Sequence, residues 1–388
     1  MLPEPEDALK HHSNKLLERI KSVIAENGGW IGFDEYMELA LYSPGLGYYA
    51  AGMQKFGEDG DFITAPMMGD WFAGCLARQC MEIFAQMETE ESTIIEFGAG
   101  DGLLAANLIR RLADSGQPPD RYLIVEISPE LQIRQKTRID DLDPDLGARV
   151  EWLDALPESG VSGIMIANEL LDALPVKRFV IGHEGECLEA GVGDQGKLVL
   201  ETGPMVPDGA LPDGCDKNWT TGYQSELGLQ GQAWVKGMGE RLNHGAMILV
   251  DYGFSAREYY HEDRGGGTLM CHYRHHAHDD AFYYPGLQDI TAHVDFSAIA
   301  RAGREVGLEL AGYCGQGAFL LSLGILEELQ AQQSTLENDQ KTWLELSAKI
   351  KKLTLPHEMG ELFKVMVLTT EPMASLTGFN FQNHRNRL

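Results

Sequence analysis

From Thr93 to Asn168 the chain alternates short, nearly continuous apolar runs with amphipathic ones. "TIIEF" (93–97), "RYLIVEIS" (121–128), "RVEWL" (149–153) and "GIMIAN" (163–168) read as strands, and "LLAANLIRRLAD" (103–114) and "SPELQIRQKTRI" (128–139) as helices. Strands without polar alternation are buried on both faces, so this order demands a parallel α/β sheet covered by helices. Ser128, Pro129 and Glu130 form a helix start, with an N-cap, a proline at the first turn and an acid behind it. "GAMILVDYG" (245–253) resumes the sheet as a fifth strand, followed by "LELAGYCG" (308–315) and "FKVMVLTT" (363–370).

The flanks are less regular. Residues 11–41 read as two helices broken at "NGGW", then come the loops "YSPGLGYYA" and "FGEDGDFITAP" and a helix from about Gly69 to Met87. Between 177 and 240 only "KRFVIG" and "KLVLETG" look strand-like, among Pro/Gly-rich loops. Residues 254–291 are polar, aromatic and His-rich. "DFSAIARAGREVG" is a helix with Asp295 as N-cap, and "AFLLSLGILEELQAQ" and "TWLELSAKIKKLT" are further helices.

The turn after the first strand, "EFGAGDG", selects the ligand. It has no Lys, so it is not a phosphate-cradling G-x-x-x-x-G-K-[ST] loop. Gly98 and Gly100 fit a dinucleotide fingerprint, but the third glycine falls one residue early, at Gly102. Glu96 and Asp101 would repel a pyrophosphate. An acidic, side-chain-poor turn through Ala99 suits a cationic ligand without phosphate, such as S-adenosylmethionine (SAM), whose methionine part carries a sulfonium and an ammonium. Glu96 then favours the ammonium, directly or through water. Glu126, followed by Ile127, ends the second strand 24 residues past Gly102, where an acid can accept both ribose hydroxyls. Asp154 ends the third strand, placed to accept from the adenine amino group with Ala155 against the ring; a plain helix N-cap is the alternative reading. A nicotinamide enzyme with an altered third glycine is the competing ligand reading.

"FGEDGDFITAP", "EFGAGDG", "ANELLDALPV", "VDYG", "RGGGTLMCHYRHH" and "DITAHVDFSAI" follow one another in an order that resembles the MidA-like SAM-dependent methyltransferases, from about Ser13 to Thr370. The resemblance implies a class I methyltransferase fold: a Rossmann-like, seven-stranded sheet with the last strand antiparallel, a helical N-terminal segment and an inserted substrate region. For the mitochondrial members it implies symmetric dimethylation of an arginine in a respiratory complex I subunit, as part of complex I assembly. The domain reading is 1–90 as N-terminal helical and loop cover, 91–176 as the first half of the SAM-binding domain, 177–243 as a substrate-side insertion, and 244–388 as the second half with a helical insert at 316–355. The resemblance folds the loop of Asp61 and Thr64 over the cofactor, with Thr64 as a hydrogen-bonding residue; a turn stabilised by Asp61 is the alternative. Met67 stands where the family commonly has Glu, Gly265–Gly267 adds a glycine, and His272 precedes the Tyr-Arg pair; these departures touch the substrate pocket.

An arginine acceptor is protonated near neutral pH, so it needs carboxylates to hold it and a base to take its proton. "NELLDALP" begins where the fourth strand ends, so Asn168 and Glu169 face the methyl group or its acceptor. Glu169 and Asp172 are three apart, and one helical turn would put both on one face. His293, in "ITAHVDF", loosely resembles the Thr-His-Trp loop of arginine methyltransferases and would relay the proton; fixing its loop is the alternative role. Asp295 reads as a cap and Asp289 has no assigned role. His272, His275, His276, His278, Asp279 and Asp280 share one irregular segment without metal-ligand spacing, so no metal is expected. The six cysteines form no C-x-x-C pair and read as reduced thiols.

Net charge −28 argues against nucleic acid and agrees with a basic, Arg-bearing protein partner. No long apolar run crosses a membrane. The start is too acidic for a typical transit peptide and lacks a secretory apolar core, so a bacterial cytoplasmic chain is expected, or a mitochondrial matrix one if eukaryotic. A homodimer stays open, as do two other functions: a SAM-binding assembly chaperone without catalysis, and a small-molecule N- or O-methyltransferase.

Overall fold

Strand β1 (Thr93–Phe97) is buried along its whole length, because it is flanked on both edges and covered on both faces. In a computed structural model, which describes residues 2–51, 64–87, 91–207, 209–211, 219–333 and 339–388, β1 lies between parallel β2 (Arg121–Val125) and β4 (Val161–Asn168). The order among the described strands is β6-β7-β5-β4-β1-β2-β3, with β3 Val150–Leu153, β5 Leu242–Phe254, β6 Glu309–Gly315 and β7 Phe363–Thr369. β7 runs antiparallel to both β5 and β6, while β5, β4, β1, β2 and β3 are mutually parallel. Helices α1 (Trp71–Met87) and α2 (Leu103–Asp114) contribute Phe72, Leu76, Leu108 and Ile109 to the same buried apolar cluster as Ile94, Ile164 and Val365 of the sheet, all essentially inaccessible. α3 (Pro129–Ile139) starts as expected: Ser128 Oγ accepts from Leu131 N, Pro129 opens the helix and Glu130 lies in its first turn.

The chain divides into two compact units. The sheet unit comprises Ile63–Leu170, Val235–Gly253 and Ala300–Leu388, and the second unit Met1–Phe62, Leu171–Trp234 and Phe254–Ile299. The sequence reading places its divisions at 90, 176 and 243. Three helices, Gln316–Ser322, Ile325–Gln333 and Gln340–Thr354, occupy the stretch read as a helical insert. The second unit has helices Asp7–Glu26 and Phe33–Tyr42 and an antiparallel five-stranded sheet. Three of its strands, Trp30–Gly32, Cys187–Asp194 and Gln224–Leu227, are absent from the sequence reading. A hairpin pairs Met270–Tyr273 with His276–His278; its tight turn, Arg274–His275, has both residues at positive φ (47° and 63°), the twist that closes two-residue hairpins. The five described cysteines are free, and Cys215 lies outside the described residues. No described helix is long and apolar enough to cross a membrane.

Candidate active site

The turn after β1 has Gly98, Gly100 and Gly102 at φ 64°, 55° and 83°, a conformation that side-chain-bearing residues adopt only under strain. Gly98 N donates to Val125 O at 3.1 Å, extending the β1–β2 ladder, and a Cβ there would sit 3.0 Å from Leu170 Cδ1. Ala99 is buried between them. Asp101 is committed to structure: one oxygen accepts from Leu103 N at 3.1 Å and the other from Arg138 Nη2 at 2.6 Å. Arg138 thus offsets its charge, leaving Glu96 as the turn's second acid. Glu96 is 2% exposed and accepts the Tyr122 hydroxyl at 2.6 Å. Burial pushes its carboxyl up to about 7 against the lowering effect of Tyr122, with Glu126 and Asp101 adding repulsion.

Glu126, 6% exposed, accepts from Ser128 N at 2.8 Å and from Gln135 Nε2 at 3.1 Å. Gln135 is a residue the sequence reading missed. The same amide nitrogen donates to Gly100 O at 2.9 Å, and its oxygen accepts Trp152 Nε1 at 2.9 Å. One buried carboxamide therefore ties the glycine turn, the acid ending β2 and the indole of β3 together. Its signal was readable: Leu131, Gln135 and Ile139 recur every four residues on one buried helix face, and a polar residue there needs a reason. Ile127 beside Glu126 is 71% exposed. Asp154 follows β3 in an exposed bend, and no helix begins there, so the cap alternative has no helix to serve.

At the end of β4, Glu169 N donates to Val250 O at 2.8 Å, which carries the parallel ladder one residue past Asn168. Glu169 then takes φ 52°, a strained conformation for a residue with a long side chain. Asn168 Nδ2 donates to Glu169 Oε1 at 3.2 Å, while Asn168 Oδ1 is buried with no hydrogen-bond partner among the described residues. Residues 169–174 are a bend and a turn, not a helix, so the one-turn spacing argument for Glu169 and Asp172 fails. The ladder bond and the left-handed residue redirect the chain before a helical turn can form. Thr64, half-buried, precedes the short helix Ala65–Met68, and Met67 N donates to its carbonyl oxygen at 3.0 Å; Asp61 lies outside the described residues.

Asp172 and His293 lie in the second unit, and their segments meet where Ala292 N donates to Asp172 O at 3.0 Å. Asp172 is 5% and Asp289 2% exposed. Asp289 accepts the Tyr49 hydroxyl at 3.0 Å, and Tyr49 stacks on Tyr42 at 5.5 Å. Tyr49's hydroxyl is held far above its ordinary pKa, first by burial and then by Asp289, Tyr42 and Asp172, so both carboxylates bear on one tyrosine. His293 Nδ1 is 3.2 Å from Thr268 O, and its ring lies parallel to Phe254 at 5.2 Å. Asp295 Oδ1 accepts from Ser297 N and Ala298 N, the N-cap expected of it. Burial lowers the pKa of His272 and His278, and among the described residues no group of His, Cys, Asp and Glu is arranged to hold a metal ion.

These residues fit SAM: a positive-φ turn without obstructing side chains, a buried rigid acid after β2, and an orphaned amide oxygen at the end of β4. The family model described as "Putative S-adenosyl-L-methionine-dependent methyltransferase" matches residues 75–314. The zebrafish (Danio rerio) protein named "Protein arginine methyltransferase NDUFAF7, mitochondrial" is 28% identical over 390 residues, covering 93% of this chain and 89% of its own. Its human counterpart is 26% identical over 401 residues, covering 95% and 85%. A crystal structure of a Burkholderia thailandensis protein bound to S-adenosyl-homocysteine (SAH) is 40% identical, covers 100% of both chains and superimposes with a TM-score of 0.92. The chain accordingly belongs to this family of SAM-dependent methyltransferases, and SAM is its cofactor.

Proposed function

We propose that this methyltransferase acts on an arginine of a protein, with a respiratory complex I subunit or its bacterial counterpart as the substrate class. The observation that carries the reading is the pair of buried carboxylates, Asp172 and Asp289, bearing on stacked Tyr49 and Tyr42. Buried acids in an aromatic setting suit a planar cation that can be stacked and hydrogen-bonded at once. The curated relatives named as arginine methyltransferases support the same class.

When bound, SAM supplies an electrophilic methyl group on a sulfonium that leaves as a neutral thioether. In this reading the glycine turn and Glu126 hold it, Glu96 balances its ammonium, and Asn168 presents its amide oxygen. Thr64, Ile127 and Asp154 border it. Glu169 and Asp172 would hold and align the guanidinium, so that one of its nitrogens would be placed to take the methyl group that the sulfonium gives up as a neutral thioether. The proton released from that nitrogen passes to His293.

Glu169→Gln should keep SAH affinity, by calorimetry, and cut methylarginine formation by about 100-fold or more. The assay adds radiolabelled SAM to lysate of a strain lacking the gene and identifies the labelled amino acid. Unchanged labelling in the variant would remove Glu169 from the chemistry. Label on a residue other than arginine, or only on small molecules, would remove the substrate class.

A further inference from the structure

The glycine-rich stretch Arg264–Thr268 carries a polar network that ends on His293. Strands Lys177–Ile181 and Gln224–Leu227 place Arg178 directly across from Glu226. Glu226 is fully buried and Arg178 is 8% exposed, with Nε and Oε1 3.4 Å apart. A buried ion pair recovers little of its desolvation cost, so its retention points to a positional role. Glu226 Oε2 accepts from Thr268 N at 2.7 Å and from Thr268 Oγ1 at 3.0 Å. Gly267 has φ +82°, which favours glycine, and a Cβ there would lie 2.2 Å from Glu226 Oε1, so any larger residue would have to displace the carboxylate.

The proton count at Thr268 fixes each direction. A carboxylate only accepts, so the single hydroxyl proton goes to Glu226. Thr268 Oγ1 then accepts the Tyr259 hydroxyl at 3.0 Å and His293 N–H at 3.2 Å, using both lone pairs. Thr268 O, 3.2 Å from His293 Nδ1, is a carbonyl and also only accepts, so Nδ1 carries the proton of the neutral ring. The lone pair is thereby on Nε2, and Phe254 fixes the ring plane.

We propose that Glu226, acting through Thr268, is the positioning residue that sets His293 in the Nδ1–H tautomer with Nε2 as its basic atom. This rests on the reading of His293 as the proton acceptor, and the test separates the two. Full-length protein labelled with 15N-histidine is examined at about pH 8, where an ordinary imidazole is neutral. Two-bond 1H–15N spectra report the tautomer, and the His293→Gln spectrum identifies the signal. The expected wild-type signal is a protonated Nδ1 and an unprotonated Nε2. Thr268→Val, which removes the hydroxyl at constant shape, should shift His293 towards the Nε2–H form, and Thr268→Ser should restore it. Glu226→Gln, which keeps the side-chain shape, should shift it in the same direction. SAH binding confirms that each variant is folded. A wild-type Nε2–H ring, or an Nδ1–H ring unchanged in both Thr268→Val and Glu226→Gln, overturns the proposal. Methyl transfer to lysate protein should fall about 10- to 100-fold with the tautomer shift. A shifted tautomer with an unchanged rate upholds the positioning and overturns the role of His293 in the reaction.

Discussion

Replacing Glu96 by Gln removes a carboxyl that the fold holds out of its ordinary range. The group sits inside β1, 2% exposed, and its pKa rises from 4.5 to about 7 chiefly through burial. Between these values the native state holds a proton that the unfolded chain has released. Stability therefore falls as pH rises through this window, and the full cost applies above about 7. The difference of roughly 2.5 units amounts to about 3 kcal/mol. Gln fills the same space and keeps an oxygen to accept the Tyr122 hydroxyl, but it does not titrate. The variant should gain up to about 3 kcal/mol relative to wild type on going from pH 4.5 to pH 8, the other titrating groups being common to both. Hydrogen-exchange labelling along a urea series, read on peptides containing β1, gives this difference for the sheet unit alone. A bound ammonium at the turn would favour the ionised carboxyl, so SAH binding near pH 6.5 should release a proton from wild type and not from the variant. Calorimetry in two buffers of different ionisation enthalpy detects it. A wild-type-minus-variant stability that stays flat from pH 5 to 8 would refute the burial argument. Equal proton release from both proteins would separate Glu96 from the ammonium.

Gly98→Val places a β-branched residue at φ +64°, against Leu170, at a strain of about 1–3 kcal/mol; SAH binding by calorimetry should be abolished, and retained affinity would show that the turn does not contact the cofactor. Gln135→Leu leaves Trp152 Nε1 and Gly100 O without their partner, costing about 1–3 kcal/mol in urea unfolding, and should weaken SAH binding by about tenfold through the loosened Glu126. Asp295→Ala should cost about 1 kcal/mol of stability as a lost cap while SAH affinity and methyl transfer persist; a large loss of transfer at unchanged stability would make Asp295 more than a cap.

What the sequence revealed and what it withheld follow from where each residue's partners lie. The central strands were readable because burial on both faces writes a continuous apolar run, and Ser128 and Asp295 because a cap satisfies amides two or three residues away. Cys187–Asp194 was unreadable because Gly191 and Gly193 dilute its strand character. The reason appears only in the fold, where a Cβ on Gly191 would lie 2.3 Å from the Trp30 indole, contributed from far away in the chain. Local spacing failed in the same way at the candidate site. The spacing of Glu169 and Asp172 pairs them only on a helix. The structure spends Glu169 N on β5 and Asp172 O on Ala292, so the segment bends instead of coiling. The second acid that bears on Tyr49 beside Asp172 is Asp289, brought there by topology rather than spacing. A site assembled from distant segments leaves no periodic trace, and what survives in the sequence is the residue each segment cannot replace. Gly267 is one such residue, since the Glu226 carboxylate occupies the place of any side chain it could carry. The glycines of "RGGGT" and of "EFGAGDG" are therefore needed for different neighbours: Gly267 lies against a buried acid, while Gly98 and Gly102 hold a left-handed turn against Leu170 and Gln135.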